Sequence, residues 1–505
     1  MAKIEIRPQP VQEKFLASPA DIAIFGGSAG GGKTFALLIE CLRHTGNPKF
    51  SAAIFRRESK QIYMPGGLFD ASQAIYPGCG AVCRVQPMLR YTFRSGAQVL
   101  MTHLNFETDV SAYQGSEIAL ICYDELSHFS RSQFMYMLSR NRSMSGVRPY
   151  VRATTNPDPD SWVADFLAWW IDQDTGYPIP ERSGQLRYFI SVPTETDTML
   201  LWGNTPHDAV AGLGIERPSD AELKRAMAII DLHIGLGEDV PLDLMSEPIR
   251  YVQYLRQARS VTFVPAKVYD NPALLRTNPD YLSNLKSLSR VERARLLDGN
   301  WKIRATAGSY FAKADARIVP EIPNDVVRWV RSWDLAATEP NESNRDPDWT
   351  VGMKLGRRRN GRVIVADVKR IRRNAATVRE LVAATALEDG DKCWIQLPQD
   401  PGQAGKDQSD SYRDLLRGYP LFNRTITRNK AAMAEPAAAA WQRGSIELVV
   451  APWNDEVLSE LDRFPSPGSH DDCVDALSGG YNLLPSADVP NYQESGLSRK
   501  FREPS

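Results

Sequence analysis

Short apolar runs alternate with helical segments through the first 210 residues of the chain. Ile22–Phe25 and Ala119–Tyr123 are apolar or aromatic at every position, which is typical of strands buried on both faces of a parallel sheet. Tyr91–Leu100 turns on Ser95-Gly96 and predicts a β-hairpin. The candidate strands lie at residues 21–26, 51–56, 98–104, 118–123, 149–155 and 185–191. The pattern predicts an open α/β sheet for residues 1–210.

Residues 211–305 show no comparable strand pattern. Helical periodicity is present at Ser219–Leu236 and at Asp280–Leu297, and Asn271-Pro272 and Asn278-Pro279 interrupt it. A residue that precedes proline is biased away from helical backbone angles, so these dipeptides separate helices. The pattern predicts a small helical subdomain, acting as a lid or a lever.

Strands return in the C-terminal part of the chain, after a stretch marked by prolines. Residues 306–325 contain Pro320 and Pro323 and are predicted to form a linker. Residues 326–484 are predicted to form a further α/β domain, and residues 485–505, which are polar, a mobile tail. The candidate strands of this domain lie at residues 326–335, 349–357, 362–370, 393–399 and 445–450.

Composition narrows the class of protein. The chain has 505 residues, too many for a single core, and this length favours two or three domains. Lys and Arg number 60 against 61 Asp and Glu, so affinity for nucleic acid must come from local clusters. Six cysteines are too few for a disulfide framework and fit a reducing cytosol. No run approaches the ~20 apolar residues of a membrane span, so no membrane association is expected.

A glycine-rich loop lies between the first predicted strand and the helix after it. Strand, glycine loop and helix in this order predict a P-loop, in which backbone N–H groups at a helix N-terminus bind phosphate. Lys33 is expected to reach the β- and γ-phosphates of ATP, and Thr34 to bind Mg²⁺. The residues predicted to bind the nucleotide are Gly27, Ser28, Ala29, Gly30, Gly31, Gly32, Lys33 and Thr34.

An acidic pair follows the apolar run Ala119–Tyr123. Asp124 is predicted to bind the same Mg²⁺, and Glu125 to orient or deprotonate the attacking water. Because both acids are present, hydrolysis of ATP is favoured over a nucleotide-gated scaffold without turnover. Arg56-Arg57, at the end of the second predicted strand, could approach phosphates or DNA.

Three polar side chains complete the predicted nucleotide site. Thr155 and Asn156 end the strand that follows the acidic pair, where they could sense the γ-phosphate. Gln12 precedes the P-loop, where its amide could read the adenine edge. A surface glutamine is an equally good interpretation of Gln12.

These motifs resemble those of large terminase subunits of tailed double-stranded-DNA bacteriophages. The resemblance rests on the P-loop, on Tyr123–Leu126, on Ala153–Pro157 and on the pair of segments Asp270–Leu274 and Leu296–Trp301. It extends over residues 8–482 and includes two domains in a fixed order, which makes it more specific than a P-loop alone.

The chain departs from this family pattern at one position. Relatives often carry Tyr-Arg-Gly before the acidic strand, with an arginine that acts on the ATP of a neighbouring subunit. This chain has Gln114 between Tyr113 and Gly115. Arg142 is the predicted substitute and Arg140 the next candidate, although a solvated basic turn explains either arginine as well.

Carboxylates at strand ends and at a helix start form a second predicted site. Asp334 and Asp400 each follow an apolar strand, and Asp471, Asp472 and Asp475 lie at the start of the last helix. This order is that of ribonuclease-H-like nucleases, the fold that terminases carry here. The acids would bind two Mg²⁺ or Mn²⁺ ions roughly 3.5–4 Å apart. The predicted catalytic set consists of Asp334, Asp400 and Asp472, with Asp471 and Asp475 as supporting or alternative ligands. The alternative interpretation is that these are unrelated aspartates at strand ends and at a helix cap.

Two further features lie near these acids in the sequence. Asp367 also ends a strand, but its place in the order suits the surface. The segment Lys354–Arg373 has nine basic residues against one acid, 9 − 1 = +8, around a turn at Asn360-Gly361. Such a hairpin could grip the phosphate backbone of DNA, or it could be a solvated charged hairpin.

The resemblance implies an α/β fold class: a P-loop ATPase domain with a parallel-sheet core and a small helical lid subdomain, followed by a ribonuclease-H-like nuclease domain. It implies a motor that hydrolyses ATP to move double-stranded DNA into a procapsid and cuts concatemeric DNA. The expected cofactors are ATP with Mg²⁺ at the ATPase site, and two Mg²⁺ or Mn²⁺ at the nuclease site.

The expected partners are double-stranded DNA, the portal protein, the small terminase subunit and further copies of the chain in a ring, a pentamer. The expected location is the host cytoplasm, with transient docking on the procapsid. The alternative is a helicase–nuclease of DNA repair or recombination. It is disfavoured because such enzymes usually carry two motor domains in tandem.

Overall fold

The computed structural model describes residues 6–194, 198–340, 344–399, 403–425 and 429–484. These residues form two compact units. The first comprises the chain up to Leu285 together with Ala294–Ile303, and the second comprises Lys286–Arg293 and the chain from Arg304 onwards. The predicted tail, residues 485–505, lies outside the described residues.

The first unit is built on a ten-stranded sheet in the order β3-β4-β5-β2-β6-β7-β1-β10-β8-β9. The strands from β5 to β10 in that order are parallel, and both edges are antiparallel. The strands are β1 Ile22–Gly27, β2 Ser51–Arg56, β3 Val82–Arg84, β4 Arg90–Thr92, β5 Gln98–His103, β6 Leu120–Tyr123, β7 Tyr150–Thr155, β8 Leu186–Pro193, β9 Thr198–Gly203 and β10 Arg259–Ala266.

Helices lie between many of these strands along the chain. The α-helices up to residue 296 are α1 Pro10–Leu16, α2 Lys33–Glu40, α3 Ser59–Tyr63, α4 Leu68–Gln73, α5 Arg131–Leu138, α6 Trp162–Phe166, α7 Pro206–Ala211, α8 Asp220–Leu236, α9 Glu247–Gln257, α10 Pro272–Thr277, α11 Asp280–Lys286 and α12 Arg290–Leu296. Of these, α11 and α12 each contain residues of both units. Short 3₁₀ segments lie at Pro77–Cys79, Glu107–Tyr113, Leu126–His128, Ala168–Trp170, Pro180–Arg182, Leu242–Leu244 and Val268–Asp270.

The apolar runs of the sequence form the centre of the sheet. In β1, Ala23 and Phe25 pack into one apolar cluster, and Ile22 and Ile24 pack into another. Because successive side chains of a strand point to opposite faces, these clusters are the two cores of the sheet. The prediction of an open, parallel-rich α/β sheet is confirmed.

The predicted helical subdomain, residues 211–305, is only partly helical. Ser219 accepts a hydrogen bond from the Glu222 N–H and starts α8, and Gly237 ends it with a φ of 73°. Arg259–Ala266, however, is not helical but forms β10, which pairs with β1 and with β8 in the centre of the sheet. The sequence conceals this strand because Pro265 lies within it and its partner lies near the N-terminus.

The second unit is built on a seven-stranded sheet in the order β11-β17-β14-β13-β12-β15-β16. β12, β13 and β14 are antiparallel neighbours, and β15 and β16 continue parallel to β12. The strands are β11 Arg317–Val319, β12 Val326–Asp334, β13 Thr350–Arg358, β14 Val363–Ile371, β15 Trp394–Gln399, β16 Leu421–Thr425 and β17 Ile446–Val449. The helices are α13 Ala375–Asp389, α14 Gln403–Leu415, α15 Lys430–Gln442, α16 Asn454–Arg463 and α17 Asp472–Leu483, with a 3₁₀ turn at Lys313–Asp315.

The predicted linker, residues 306–325, is instead an integral part of the second unit. Tyr310 and Phe311 are buried in its core, and β11 pairs with β17 at the sheet edge. The prolines that suggested a linker lie in the short connection between β11 and β12. In the described part of the chain, no helix combines the length and the hydropathy needed to cross a membrane.

Candidate functional sites

The glycine-rich loop connects β1 to α2 and has backbone angles that favour glycine. The φ angles of Gly27, Gly30 and Gly32 are 132°, 77° and 73°, values that side chains with a Cβ rarely adopt. At Gly27, a Cβ would lie 2.2 Å from the Ala266 carbonyl oxygen. The loop can therefore pass this close to β10 only with glycine at this position.

Hydrogen bonds to neighbouring segments hold the loop in place. The amides of Ser28 and Ala29 donate to the carbonyls of Ala266 (2.9 Å) and Leu296 (2.7 Å). The Asn271 amide donates to the Gly30 carbonyl at 2.8 Å. Since the Ser28 and Ala29 amides are used within the protein, they anchor the loop in this conformation. The N–H groups from Gly30 to Thr34 remain as the predicted phosphate donors.

Lys33 and Thr34 begin α2. The Lys33 ammonium is buried and donates to the Ser28 carbonyl at 2.6 Å. Burial lowers the pKa of Lys33, although the charges of Glu125 and Asp124 act in the opposite direction. The Thr34 hydroxyl lies 3.1 Å from each oxygen of Asp124. A hydroxyl and a carboxylate side by side are the hard oxygen donors that suit Mg²⁺.

Asp124 follows β6 and is completely buried. Besides Thr34, its carboxylate contacts the Thr154 hydroxyl at 2.7 Å and an Arg56 guanidinium nitrogen at 2.6 Å. A buried carboxylate is stable only when it is paired and hydrogen-bonded, as this one is. Residues of β2, β7 and α2 thus fix the position of Asp124.

Glu125 has a backbone conformation that is unusual for its residue type. Its φ is 69°, and it is the only non-glycine residue with positive φ in the described part of the chain. Its N–H donates to the Thr154 hydroxyl at 3.0 Å, and the Asn156 amide donates to both of its carboxylate oxygens at 3.0 and 2.9 Å. Strained residues held by such contacts occur mainly at functional sites.

The structure places the other predicted residues of this site as follows. Gln12 is buried, and its amide donates to the Gly32 carbonyl at 2.8 Å, so it is not a surface glutamine but a support of the P-loop. Thr155 is buried, and its hydroxyl bonds to the adjacent Asn156 carbonyl at 3.0 Å. Arg142 is exposed and donates to the carbonyls of Gly115 and Ser116 at 3.1 and 3.3 Å. Its guanidinium therefore lies directly beside the segment that contains Gln114.

Sequence reasoning missed the roles of Thr154 and Asn271 and left that of Arg56 open. Thr154 joins Asp124 to the Glu125 backbone, and Asn271 supports the P-loop from a segment remote in sequence. Side chains alternate between the two faces of a strand, so Thr154 lies on the face of β7 opposite to the predicted phosphate sensor Thr155. This alternation was the sequence signal that Thr154 has a separate role.

Among the described residues of the second unit, Asp334, Asp472 and Asp475 lie close together, as predicted. Asp334 ends β12, and Asp472 and Asp475 lie in the first turn of α17. Burial, followed by the charges of Asp475 and Asp472, raises the pKa of Asp334 to about 8. Crowded carboxylates of this kind suit divalent cations, which relieve their repulsion. Asp400, the third member of the predicted catalytic set, lies outside the described residues, immediately after β15.

Close packing of α17 on the sheet brings these acids together. A Cβ on Gly479 would lie 2.4 Å from the Gln396 side-chain oxygen and 2.8 Å from the Ser332 hydroxyl. A Cβ on Gly480 would lie 2.6 Å from a Leu355 methyl group. Without side chains at these two positions, the helix can approach β12 and present its first turn to Asp334.

Lys430 contributes a cation to this site that the sequence analysis did not predict. Its ammonium contacts Asp471 at 2.7 Å and Asp475 at 3.0 Å. Burial acts to lower the pKa of Lys430, but the bonds to these acids outweigh it and raise the pKa. Asp471 therefore faces Lys430, whereas Asp475 is shared between Lys430 and the acidic cluster.

The basic hairpin of β13 and β14 turns at Asn360-Gly361 as predicted, but it is not a free basic arm. Arg358 and Arg362 both contact Glu447, at 2.6 and 2.8 Å. Acids from other elements pair with six of its nine basic residues, so less of its charge is free for a contact with DNA than the sequence count indicates; the grip on DNA stays a prediction. The ion-paired residues are Lys354, Arg358, Arg362, Lys369, Arg370 and Arg372.

Asp367 is partly exposed, near the surface position predicted for it, and is ion-paired. The buried Arg331 guanidinium contacts Asp367 at 2.8 Å and Asp389 at 2.7 Å. Asp367 thus belongs to a structural ion-pair network.

Comparison with known proteins agrees with this geometry. Residues 24–318, more than half of the chain, match the family described as terminase large subunit, T4likevirus-type, N-terminal. Residues 331–484 match the terminase RNaseH-like domain. No curated protein sequence matches the chain.

Solved structures of the large terminase from a thermophilic bacteriophage share the fold. One crystal form aligns with a TM-score of 0.56 at 13% identity, covering 95% of this chain and 100% of that chain. A second form aligns with a TM-score of 0.53 at 14% identity, covering 94% and 100%. The complex of the same phage terminase with ADP aligns with a TM-score of 0.54 at 14% identity, covering 94% and 99%. The chain therefore belongs to the large terminase subunits of DNA packaging, with the ATPase domain and the ribonuclease-H-like nuclease domain of that family.

Proposed function

We propose that this chain hydrolyses ATP to drive double-stranded DNA into a procapsid and cuts concatemeric DNA by two-metal catalysis. The observation that carries the proposal is the arrangement around Asp124 and Glu125. A buried aspartate bonded to the P-loop threonine, next to a glutamate held at a φ of 69°, combines a metal-binding group with a positioned carboxylate.

In the proposed ATPase reaction, the loop N–H groups and Lys33 hold the phosphates. Thr34 and Asp124 would hold Mg²⁺, which supplies charge neutralisation at the β- and γ-phosphates. Glu125 orients the attacking water and accepts its proton, and Asn156 fixes the Glu125 carboxylate from the end of β7. Since Asn156 bonds to both carboxylate oxygens, it can pass a movement of Glu125 to the segment after β7. The terminase of the thermophilic phage was solved with ADP, which supports an adenine nucleotide at the corresponding loop.

In the proposed nuclease reaction, two Mg²⁺ or Mn²⁺ ions would be held by Asp334, Asp400, Asp472 and Asp475. These ions would supply an activated water and stabilise the leaving oxygen. The protein's own contribution is to crowd these carboxylates. Lys430 holds Asp471 and Asp475 in place and reduces the repulsion among the acids.

Arg142 is proposed to act on the ATP of a neighbouring subunit in a ring of five. Its exposure and its position beside Gln114, where relatives often carry the arginine, support this role. Mixing Arg142→Ala with Glu125→Gln subunits should restore ATPase activity at the mixed interfaces. If two folded, assembling variants do not complement each other, the trans role is excluded and Arg140→Ala becomes the next variant to mix.

Packaging is tested with procapsids that carry their portal protein, with the small terminase subunit supplied. With ATP, the wild-type chain should make DNA resistant to added nuclease, and Lys33→Ala should not. Strand separation of a duplex without protection of DNA would instead identify the chain as a helicase–nuclease.

A further inference from the structure

A histidine and two aspartates converge beside the nuclease carboxylates. His470 precedes α17, Asp348 precedes β13, and Asp472 begins α17. The His470 Nδ1 lies 3.6 Å from an Asp348 oxygen and 3.5 Å from an Asp472 oxygen. One ligand atom from each of the three residues lies within 4.8 Å of the other two, a spacing at which they could hold a metal ion together.

Asp472 has a carboxylate oxygen that points into this cluster without a hydrogen-bond partner. The Asp472 side chain is 5% exposed, and its Oδ2, the atom nearest His470, is buried and accepts no hydrogen bond. A buried carboxylate oxygen without a donor is costly. A cation bound between Asp472 and His470 would satisfy it.

The far side of the His470 ring is arranged like that of a metal-bound histidine. Nε2 lies 2.9 Å from an Asp346 carboxylate oxygen. Arg372 contacts the other oxygen of Asp346 at 2.5 Å and lies 3.0 Å from the same ring nitrogen. Nε2 accepts from Arg372 in one tautomer and donates to Asp346 in the other, and a cation at Nδ1 selects the tautomer that donates to Asp346. Metal-binding histidines commonly donate their second N–H to a carboxylate, which leaves the first nitrogen free to bind the metal.

We infer that Asp348, His470 and Asp472 form a cation subsite of the nuclease that binds Mn²⁺ more tightly than Mg²⁺. The preference follows from the imidazole nitrogen, because Mg²⁺ favours oxygen ligands in a near-ideal octahedral geometry and gives up its bound waters reluctantly. The inference rests on the proposed nuclease function and adds two ligands, Asp348 and His470, to its carboxylates. Asp472 then links this subsite to the cluster around Asp334.

The test uses the full-length chain with Mn²⁺ as the probe and without nucleotide. Electron spin-echo envelope modulation detects a nitrogen nucleus bound to Mn²⁺, and the other proposed metal ligands of this chain are oxygens. The wild type should show ¹⁴N coupling, His470→Gln should lose it, and the exposed His103→Gln should retain it. Asp346→Asn should keep the coupling but weaken Mn²⁺ binding about 10- to 100-fold, as is usual for a carboxylate behind a metal-bound histidine.

The outcomes separate this inference from the nuclease proposal. Absence of ¹⁴N coupling in the Mn²⁺-loaded wild type, or coupling that survives His470→Gln, overturns the subsite and makes His470 a cationic partner of the surrounding acids. DNA cleavage is measured in parallel. If Asp334→Asn cuts DNA normally, the nuclease assignment fails, whatever the spin-echo result.

Discussion

Replacement of Thr154 by valine tests whether the strained Glu125 backbone serves catalysis. Valine has the shape of threonine and lacks only the hydroxyl, which bonds to the Asp124 carboxylate and accepts from the Glu125 N–H. A hydrogen bond to a charged group contributes about 1.5–3 kcal/mol, and a buried donor left unpaired costs about 1–3 kcal/mol. Because the two effects share one hydroxyl, we expect a total loss of about 3 kcal/mol in the free energy of unfolding.

Thr262→Val is the matched control. Thr262 is equally buried in β10 of the same sheet, and its hydroxyl donates to the Gln185 carbonyl, at 2.9 Å. Loss of this bond between uncharged groups should cost about 1 kcal/mol. Urea unfolding gives both values, and steady-state ATP hydrolysis gives kcat.

Thr154→Val should lower kcat about 100-fold, because Glu125 can then relax and move the reacting water by about 1 Å. Thr262→Val should leave kcat unchanged. If Thr154→Val loses no more stability than the control and hydrolyses ATP normally, Thr154 does not hold Glu125 in its catalytic position.

Three further substitutions test other contacts of the two sites. Lys33→Ala should weaken binding of a fluorescent ATP analogue at least about 10-fold, since it removes a charge-assisted hydrogen bond to phosphate; unchanged binding would remove Lys33 from the site. Burial acts to raise the pKa of Asp389, but the hydrogen bonds and charge of Arg331 outweigh it and hold the pKa below its ordinary value. The ion pair therefore stabilises the fold at pH values above the unfolded-state pKa. This stabilisation is lost as the pH falls through the folded-state pKa. Asp389→Asn should therefore cost about 3 kcal/mol at neutral pH, with the difference from wild type shrinking below about pH 4 in unfolding measurements; a constant difference would contradict the ion-pair argument. Gly479→Ala should cost about 1–3 kcal/mol of unfolding free energy, because the added methyl group overpacks α17 against the sheet, and it should reduce DNA cleavage. The control is Gly235→Ala in α8, where nothing lies within 4 Å of the added methyl group, and it should stabilise the fold slightly. Equal effects of the two substitutions would mean that α17 tolerates the methyl group.

Most of the fold was predicted correctly from local sequence patterns. The P-loop, the acidic pair and the hairpin at Asn360-Gly361 are each defined by residues close together in sequence, and the structure contains all three. The strand β10 could not be found in this way. Its Ser260 bonds to Asp21 across 239 residues, and its position between β1 and β8 depends on that long-range pairing.

The same limit applies to side chains whose environment comes from distant segments. Along the sequence the hairpin has a charge of +8, but its acidic partners, such as Asp325 and Glu447, belong to other elements. Likewise, no sequence spacing connects His470 with Asp348, or Lys430 with Asp475. Spacing along one helix did find Asp472 and Asp475, because the geometry of one helical turn is local.

The central claim is that one chain carries two separate catalytic sites, one for ATP and one for DNA. It is tested most directly by measuring ATP hydrolysis and DNA cleavage side by side in Glu125→Gln and Asp334→Asn. Glu125→Gln should bind ATP but barely hydrolyse it, while still cutting DNA with Mn²⁺. Asp334→Asn should hydrolyse ATP normally and fail to cut. If either folded variant loses both activities, or retains both, the assignment of these carboxylates to two independent sites is wrong.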